Sequence, residues 1–188
     1  MLTMEQRQQL KELALKHAKL EEEIFNHSIR LLTPWYEERR QIVAKIPNFW
    51  GLAIEKSELF AEYINYQDGE VLDSLVDLHV QWNLENTNIV TVTMQFQETK
   101  YCHAGTVTKT VNQTTLKSEA VKMLWKSDLG RTGSFFGWLG TTDKESLELL
   151  QLICQEFFPH ALDFYREEDQ PKNLEIWSIS ESEQSEAH

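Results

Sequence analysis

Three places in the sequence hold side chains that could do chemistry: the adjacent Cys102 and His103, the acid pair Glu145 and Glu148, and Cys154 with His160 shortly after it. A thiol beside an imidazole is the raw material of nucleophilic catalysis, the imidazole taking the thiol proton. Neighbours on a strand point to opposite faces, so Cys102 and His103 do not form such a pair. Two carboxylates three residues apart share a helix face and can do acid–base work, but on so polar a helix they read as a solvated face. Cys154 falls on an apolar helical stripe and reads as core. His160 follows Pro159 and reads as surface or half-buried. The 7 glycines lack the spacing of a phosphate loop, and no His/Cys group has zinc spacing. Trp50, Trp82, Trp125 and Trp138 sit in apolar contexts, as core rather than as stacking platforms. These readings predict a chain that binds rather than catalyses, with no cofactor or metal.

Charge says what it would bind. The 188 residues carry a formal net charge of −12, spread unevenly. Residues 143–188 hold 12 acids and 3 bases, whereas residues 1–142 hold 18 and 15. An acidic C-terminal third repels phosphates, which argues against direct, sequence-specific nucleic-acid binding and favours a basic partner. Hydrophobic residues at 41% supply a core, and no apolar run approaches the ~20 residues of a membrane span. Two cysteines without a metal or redox motif, behind a charged N-terminal stretch, point to a reducing compartment.

The elements that would position these groups begin with a helix over residues 3–45. Thr3 and Gln6 form a capping box. Leu10, Leu13, His17, Leu20, Ile24, His27 and Leu31 then recur in steps of 3 and 4, an a/d seam between charged flanks. So narrow a stripe predicts pairing with a second helix, and His17 and His27 on it predict that pairing weakens in acid. Thr33 and Pro34 predict a kink or a restart, with Trp35, Arg39, Ile42 and Ile46 continuing the stripe and Pro47 ending it. At 1.5 Å per residue the helix spans ~60 Å, too long for one small domain to cover.

Ile46 to Trp50 reads as an apolar turn, 57–66 as a short helix and 68–75 as a turn with another helical turn. Alternation then marks strands over 76–84 and 90–96, richness in Thr and Val a third over 101–111, and Val121, Met123 and Trp125 a fourth over 120–126, joined by loops short enough for an antiparallel meander. After a Gly130–Gly133 turn, Thr142 and Glu145 read as a capping box for a helix with Leu147, Leu150, Cys154 and Phe157 on its apolar side. Phe158-Pro159 bends or restarts it. The fold class is α+β: a long N-terminal dimerisation helix (1–46, kinked near Pro34), a four-stranded antiparallel sheet covered by helices (47–169), and a flexible acidic tail (170–188) with an apolar island at Leu174–Ile179.

Particular motifs carry a resemblance. Pro34-x-Tyr36-x-x-Arg39, then Ile42-x-x-Lys45-Ile46-Pro47-Asn48-Phe49-Trp50, resembles the junction between dimer helix and globular domain in the nucleosome assembly protein / SET family. Met123 to Ser127, Ser134-Phe-Phe-Gly-Trp-Leu139 and Glu156-Phe-Phe-Pro159 with Tyr165 resemble later family segments, in order, over roughly residues 10–168. The resemblance implies a headphone-shaped homodimer with a sheet-based earmuff domain on each copy. It implies a histone chaperone of the nucleus, shuttling with the cytoplasm, that binds either or both core histone pairs on an acidic concave surface without ATP. The alternative it carries is an acidic dimeric regulator, a cofactor of a histone acetyltransferase or a phosphatase inhibitor. Lys126 to Ser134 lacks the basic insertion of many relatives, the long acidic tail is reduced to Glu181, Glu183 and Glu186, and Leu139 stands where Phe is common. The histone-facing candidates are Glu156, Asp163, Glu167, Glu168 and Asp169, then Asp128, Glu145 and Glu148. The dimerisation candidates are the seam from Leu10 to Leu31.

Overall fold

The computed structural model describes residues 2–115, 117–126 and 134–165. The Gly130–Gly133 turn, the 170–188 tail and its apolar island lie outside them. Helix α1 runs unbroken from Met4 to Val43. Its first turn is the expected capping box: the Gln6 N–H donates to Thr3 Oγ1 at 3.1 Å, and the Thr3 N–H donates to Gln6 Oε1 at 2.9 Å. The restart expected at Thr33 is absent. Pro34 lies inside the helix, and Thr33 donates its hydroxyl back to the Ile29 carbonyl at 2.7 Å instead of capping a new segment. Proline removes one helical donor and crowds the carbonyl four residues back. Burial on both sides of it, Ile29 before and Tyr36, Arg39 and Val43 after, holds the helix together.

α1 therefore has two faces. Ile29, Tyr36, Arg39 and Val43, with half-buried Phe25, pack on the domain, while Leu10, Leu13, Leu20, Ile24 and Leu31 face solvent. Trp35 and Ile42 extend this outward seam, but Arg39, expected on the same stripe, turns inward. Its guanidinium lies 4.3 Å from the Phe158 ring centroid and 5.1 to 5.6 Å from those of Tyr36, Trp35 and Trp50. Arg39 Nη1 donates to the Phe158 carbonyl at 2.5 Å. Aromatic faces and a carbonyl are favourable surroundings for a delocalised cation. Burial still pulls its pKa down to about 10, so it stays charged at neutral pH.

After Pro47, Asn48 adopts a left-handed backbone (φ 52°) and starts α2, Phe49–Lys56, where the sequence predicted only a turn. The stretch is buried almost all round and so lacks the polar side that announces a helix. Gly51 lets α2 approach the chain behind it, since a β-carbon there would lie 2.5 Å from the Leu72 carbonyl oxygen. The helix expected over 57–66 is only a 3-10 turn, Glu58–Phe60, followed by α3, Asp68–Leu72.

The sheet is a four-stranded antiparallel meander in the order β1-β2-β3-β4: Leu75–Trp82, Ile89–Phe96, Gly105–Asn112 and Lys117–Ser118. The fourth strand is shorter and earlier than the expected 120–126. That stretch runs extended beside Tyr101–His103, joined by the His103 N–H to the Leu124 carbonyl (2.7 Å) and the Lys126 N–H to the Tyr101 carbonyl (2.8 Å). Its alternation recorded the burial of Met123 rather than a continuous ladder.

One face of the sheet is covered by buried Phe135, Phe136, Trp138 and Leu139 and by the helices α4 (Gly137–Gly140), α5 (Lys144–Gln151) and α6 (Ala161–Tyr165). α5 is capped by Asp143, which accepts from the Ser146 N–H at 2.8 Å, not by Thr142. A carboxylate meets the positive end of the helix better than a hydroxyl. Between α5 and α6, Leu152–Phe157 forms a wide π turn, with the Phe158 N–H reaching the Ile153 carbonyl at 2.8 Å. Two buried charges fasten the layers. Lys109 on β3 donates to the Trp138 and Leu139 carbonyls at 2.7 and 3.1 Å, and Asp68 accepts from the Asn65 and Phe135 N–H groups at 2.9 and 2.8 Å.

Candidate functional site

The groups with catalytic potential are kept apart. Cys102 is buried and its neighbour His103 exposed, 3.7 Å from Glu98. Cys154 is fully buried, and burial pushes its thiol pKa up, the opposite of what a nucleophile needs. His160 is exposed, 3.6 Å from Asp163. Among the described residues no group of three or more acids, His or Cys is arranged to hold a metal, and no helix is long and apolar enough to cross a membrane.

The acids are distributed differently. Glu145 and Glu148 lie exposed on α5, where Lys144 pairs with Glu148 at 3.3 Å. Glu156 is exposed on the π turn and Asp163 on α6. Asp128, Glu167, Glu168 and Asp169 lie outside the described residues. Sequence reasoning passed over a further acidic corner on α2 and α3. α6 packs on α2, with the Tyr165 and Phe49 rings 4.6 Å apart. Burial, and then the nearby charge of Asp73, holds the Glu55 carboxyl above the usual range. Glu55, Glu58, Glu62, Asp73, Glu145 and Glu156 have no ion-pair partner among the described residues. The signal was available as six acids from Glu55 to Asp73, but only the fold brings Glu55 close to Asp73.

Three basic side chains go the other way. Arg39 and Lys109 are drawn into the interior, and Arg40 is half-buried with its Nη2 2.6 Å from Asp77. Each interior cation leaves the surface more negative than composition alone suggests.

The profile of the family described as Nucleosome assembly protein (NAP) matches residues 32–131. The chain belongs to the nucleosome assembly protein family. Among curated relatives of this family member, it is similar to the human Testis-specific Y-encoded-like protein 5, 27% identical over 144 residues, covering 69% of this chain and 34% of that protein. It is also similar to NAP1-related protein 2 of Oryza sativa, 24% identical over 161 residues, covering 72% and 63%. The chain thus spans about a third of the one and under two-thirds of the other. Its fold matches the crystal structure of Vps75 with a TM-score of 0.75 at 20% identity, covering 87% of this chain and 98% of that one. It also matches Nucleosome assembly protein S from Plasmodium falciparum with a TM-score of 0.62 at 25% identity, covering 85% and 96%. Both share the long helix and earmuff domain described above.

Proposed function

We propose that this chain is a histone chaperone working as a homodimer. Two copies pair through the α1 seam of Leu10, Leu13, Leu20, Ile24 and Leu31, with His17 and His27 between them. Each domain then presents carboxylates to the lysine- and arginine-rich surfaces of core histones in the nucleus. Opposite charge steers the encounter and competes with DNA for the histone, without ATP, cofactor or catalysis. The observation that carries this reading is a nucleosome-assembly fold in which Glu55 and Glu156 lie outward with no ion-pair partner among the described residues while Arg39 and Lys109 are turned inside. Glu55, Glu156 and Asp163 are the contacts the fold supports best. Glu167, Glu168, Asp169 and Asp128 remain candidates from sequence, and Glu145 and Glu148 weaker ones.

Light scattering of the dimer with each core histone pair, repeated over a salt series, tests it. Affinity is expected to fall steeply as salt rises, and reversing Glu55, Glu156 and Asp163 to Lys is expected to weaken it at low salt. Absence of histone binding in dilute buffer, or affinity indifferent to both salt and charge reversal, overturns the reading.

A further inference from the structure

Where α1 leaves the domain, a groove of about 550 Å³ opens beneath it. Phe25, Leu32 and Tyr36 form its apolar ceiling; Trp82, Gln113 and Pro159 lie opposite. Glu21 and Glu22 stand at the rim, and no lysine or arginine lines it. Glu22 has no ion-pair partner among the described residues, and Glu21 has only His17, at 3.3 Å. Trp82 is 5% exposed, yet its indole Nε1 is buried without an acceptor, and Gln113 Nε2 is in the same condition. A buried donor left unsatisfied costs about 1–3 kcal/mol, and Trp82 and Gln113 are the two side chains lining this groove whose buried donors have room for an acceptor brought by a ligand. The groove lies apart from the seam. Phe25 and Leu32 each follow a seam residue, Ile24 and Leu31, by one position, which places them about 100° round the helix.

We infer that this groove takes an extended peptide segment bearing lysine or arginine. The methylene stem of such a side chain lies along Phe25 and Leu32 with its charged head at Glu21 and Glu22, as long cationic side chains do on apolar surfaces. A backbone carbonyl of the peptide accepts from Trp82 Nε1, and a second carbonyl from Gln113 Nε2. A lipid or nucleotide would bring phosphate against the two glutamates, and an apolar peptide would leave them unused. The inference deepens the histone-binding reading and rests on it: the flexible histone tail has its own groove, separate from the acids that meet the folded part.

Fluorescence anisotropy of a labelled synthetic histone H3 tail peptide, titrated with the dimer of this chain, tests this. Removing two surface ion pairs with E21Q/E22Q is expected to weaken peptide binding about three- to tenfold. Removing one hydrogen bond with W82F, which keeps an aromatic ring, is expected to weaken it about two- to tenfold. Neither variant is expected to change affinity for histones lacking their tails, and acetylating the peptide lysines is expected to mimic E21Q/E22Q. If W82F does not fold, E21Q/E22Q decides, because both positions are exposed on a helix. Peptide affinity unchanged in E21Q/E22Q overturns the inference. So does conversion of E21Q/E22Q to monomer by sedimentation, which would make the groove a contact between copies. A wild-type chain that ignores tailless histones yet binds the peptide in a Glu21/Glu22-dependent way would sink the chaperone reading and leave the groove standing.

Discussion

Replacing Leu20 and Ile24 with aspartate should separate the proposed dimer. Leu20 is 48% and Ile24 69% exposed on the isolated protomer. Full burial of such a side chain is worth about 1.5–3 kcal/mol, so covering the exposed half to two-thirds yields about 1–2 kcal/mol each. Two-fold pairing buries both residues in both copies, about 4–8 kcal/mol in all, before the cost of setting a carboxylate against an apolar partner. At tenfold per 1.4 kcal/mol, Kd rises about a thousandfold or more. Sedimentation velocity across a wide concentration range reads this directly. A second readout follows from where α1 is covered. Its buried residues begin at Ile29, so residues 4–20 rest on nothing of their own domain, and a free helix of under ~20 residues is marginal in water. The monomer should therefore lose far-UV helical signal, while the earmuff keeps its near-UV tryptophan spectrum. A double variant that still sediments as a dimer with unchanged helicity refutes the reasoning.

Three further outcomes follow. Arg39→Ala should cost about 2–5 kcal/mol by truncating a large buried side chain, whereas Arg39→Met should cost less because it keeps the stem among the rings; urea unfolding midpoints rank them. His79 lies 3.2 Å from Glu37, but burial, and then the charge of Arg40, holds its pKa below 6.5. Below pH 6.5 the unfolded chain therefore takes up a proton that the folded chain resists, and stability falls until the folded-state pKa is passed. His79→Gln should lose less stability than wild type between pH 7.5 and 5.5, and equal losses would exclude this source. Glu55 is the reverse case, with its folded pKa raised. Its contribution is present below pH 4.5 and lost as pH rises through the folded value, so Glu55→Gln should raise the thermal midpoint at pH 7, leave it unchanged at pH 4, and weaken histone binding. A lower midpoint at pH 7 would contradict this.

Features set by neighbouring residues could be read from the sequence alone. The capping box at Thr3, the 3-and-4 stripe of α1, the alternation of β1 to β3 and the core tryptophans are signals carried within a few residues. The IPNFW and SFFGWL motifs identified the family for the same reason. Tertiary structure decided whatever depends on which surfaces meet. It turned Arg39 into a cage of rings while leaving Trp35 and Ile42 outside, carried α1 through Pro34, and made a helix of Phe49–Lys56, whose burial all round erased its period. It passed the α5 cap to Asp143, stopped β4 at Ser118, and brought Glu55 close to Asp73. Hydrophobic periodicity records that a face is buried but not against what, because burial is shared between segments far apart in the chain, whereas capping and pitch are settled within a single turn.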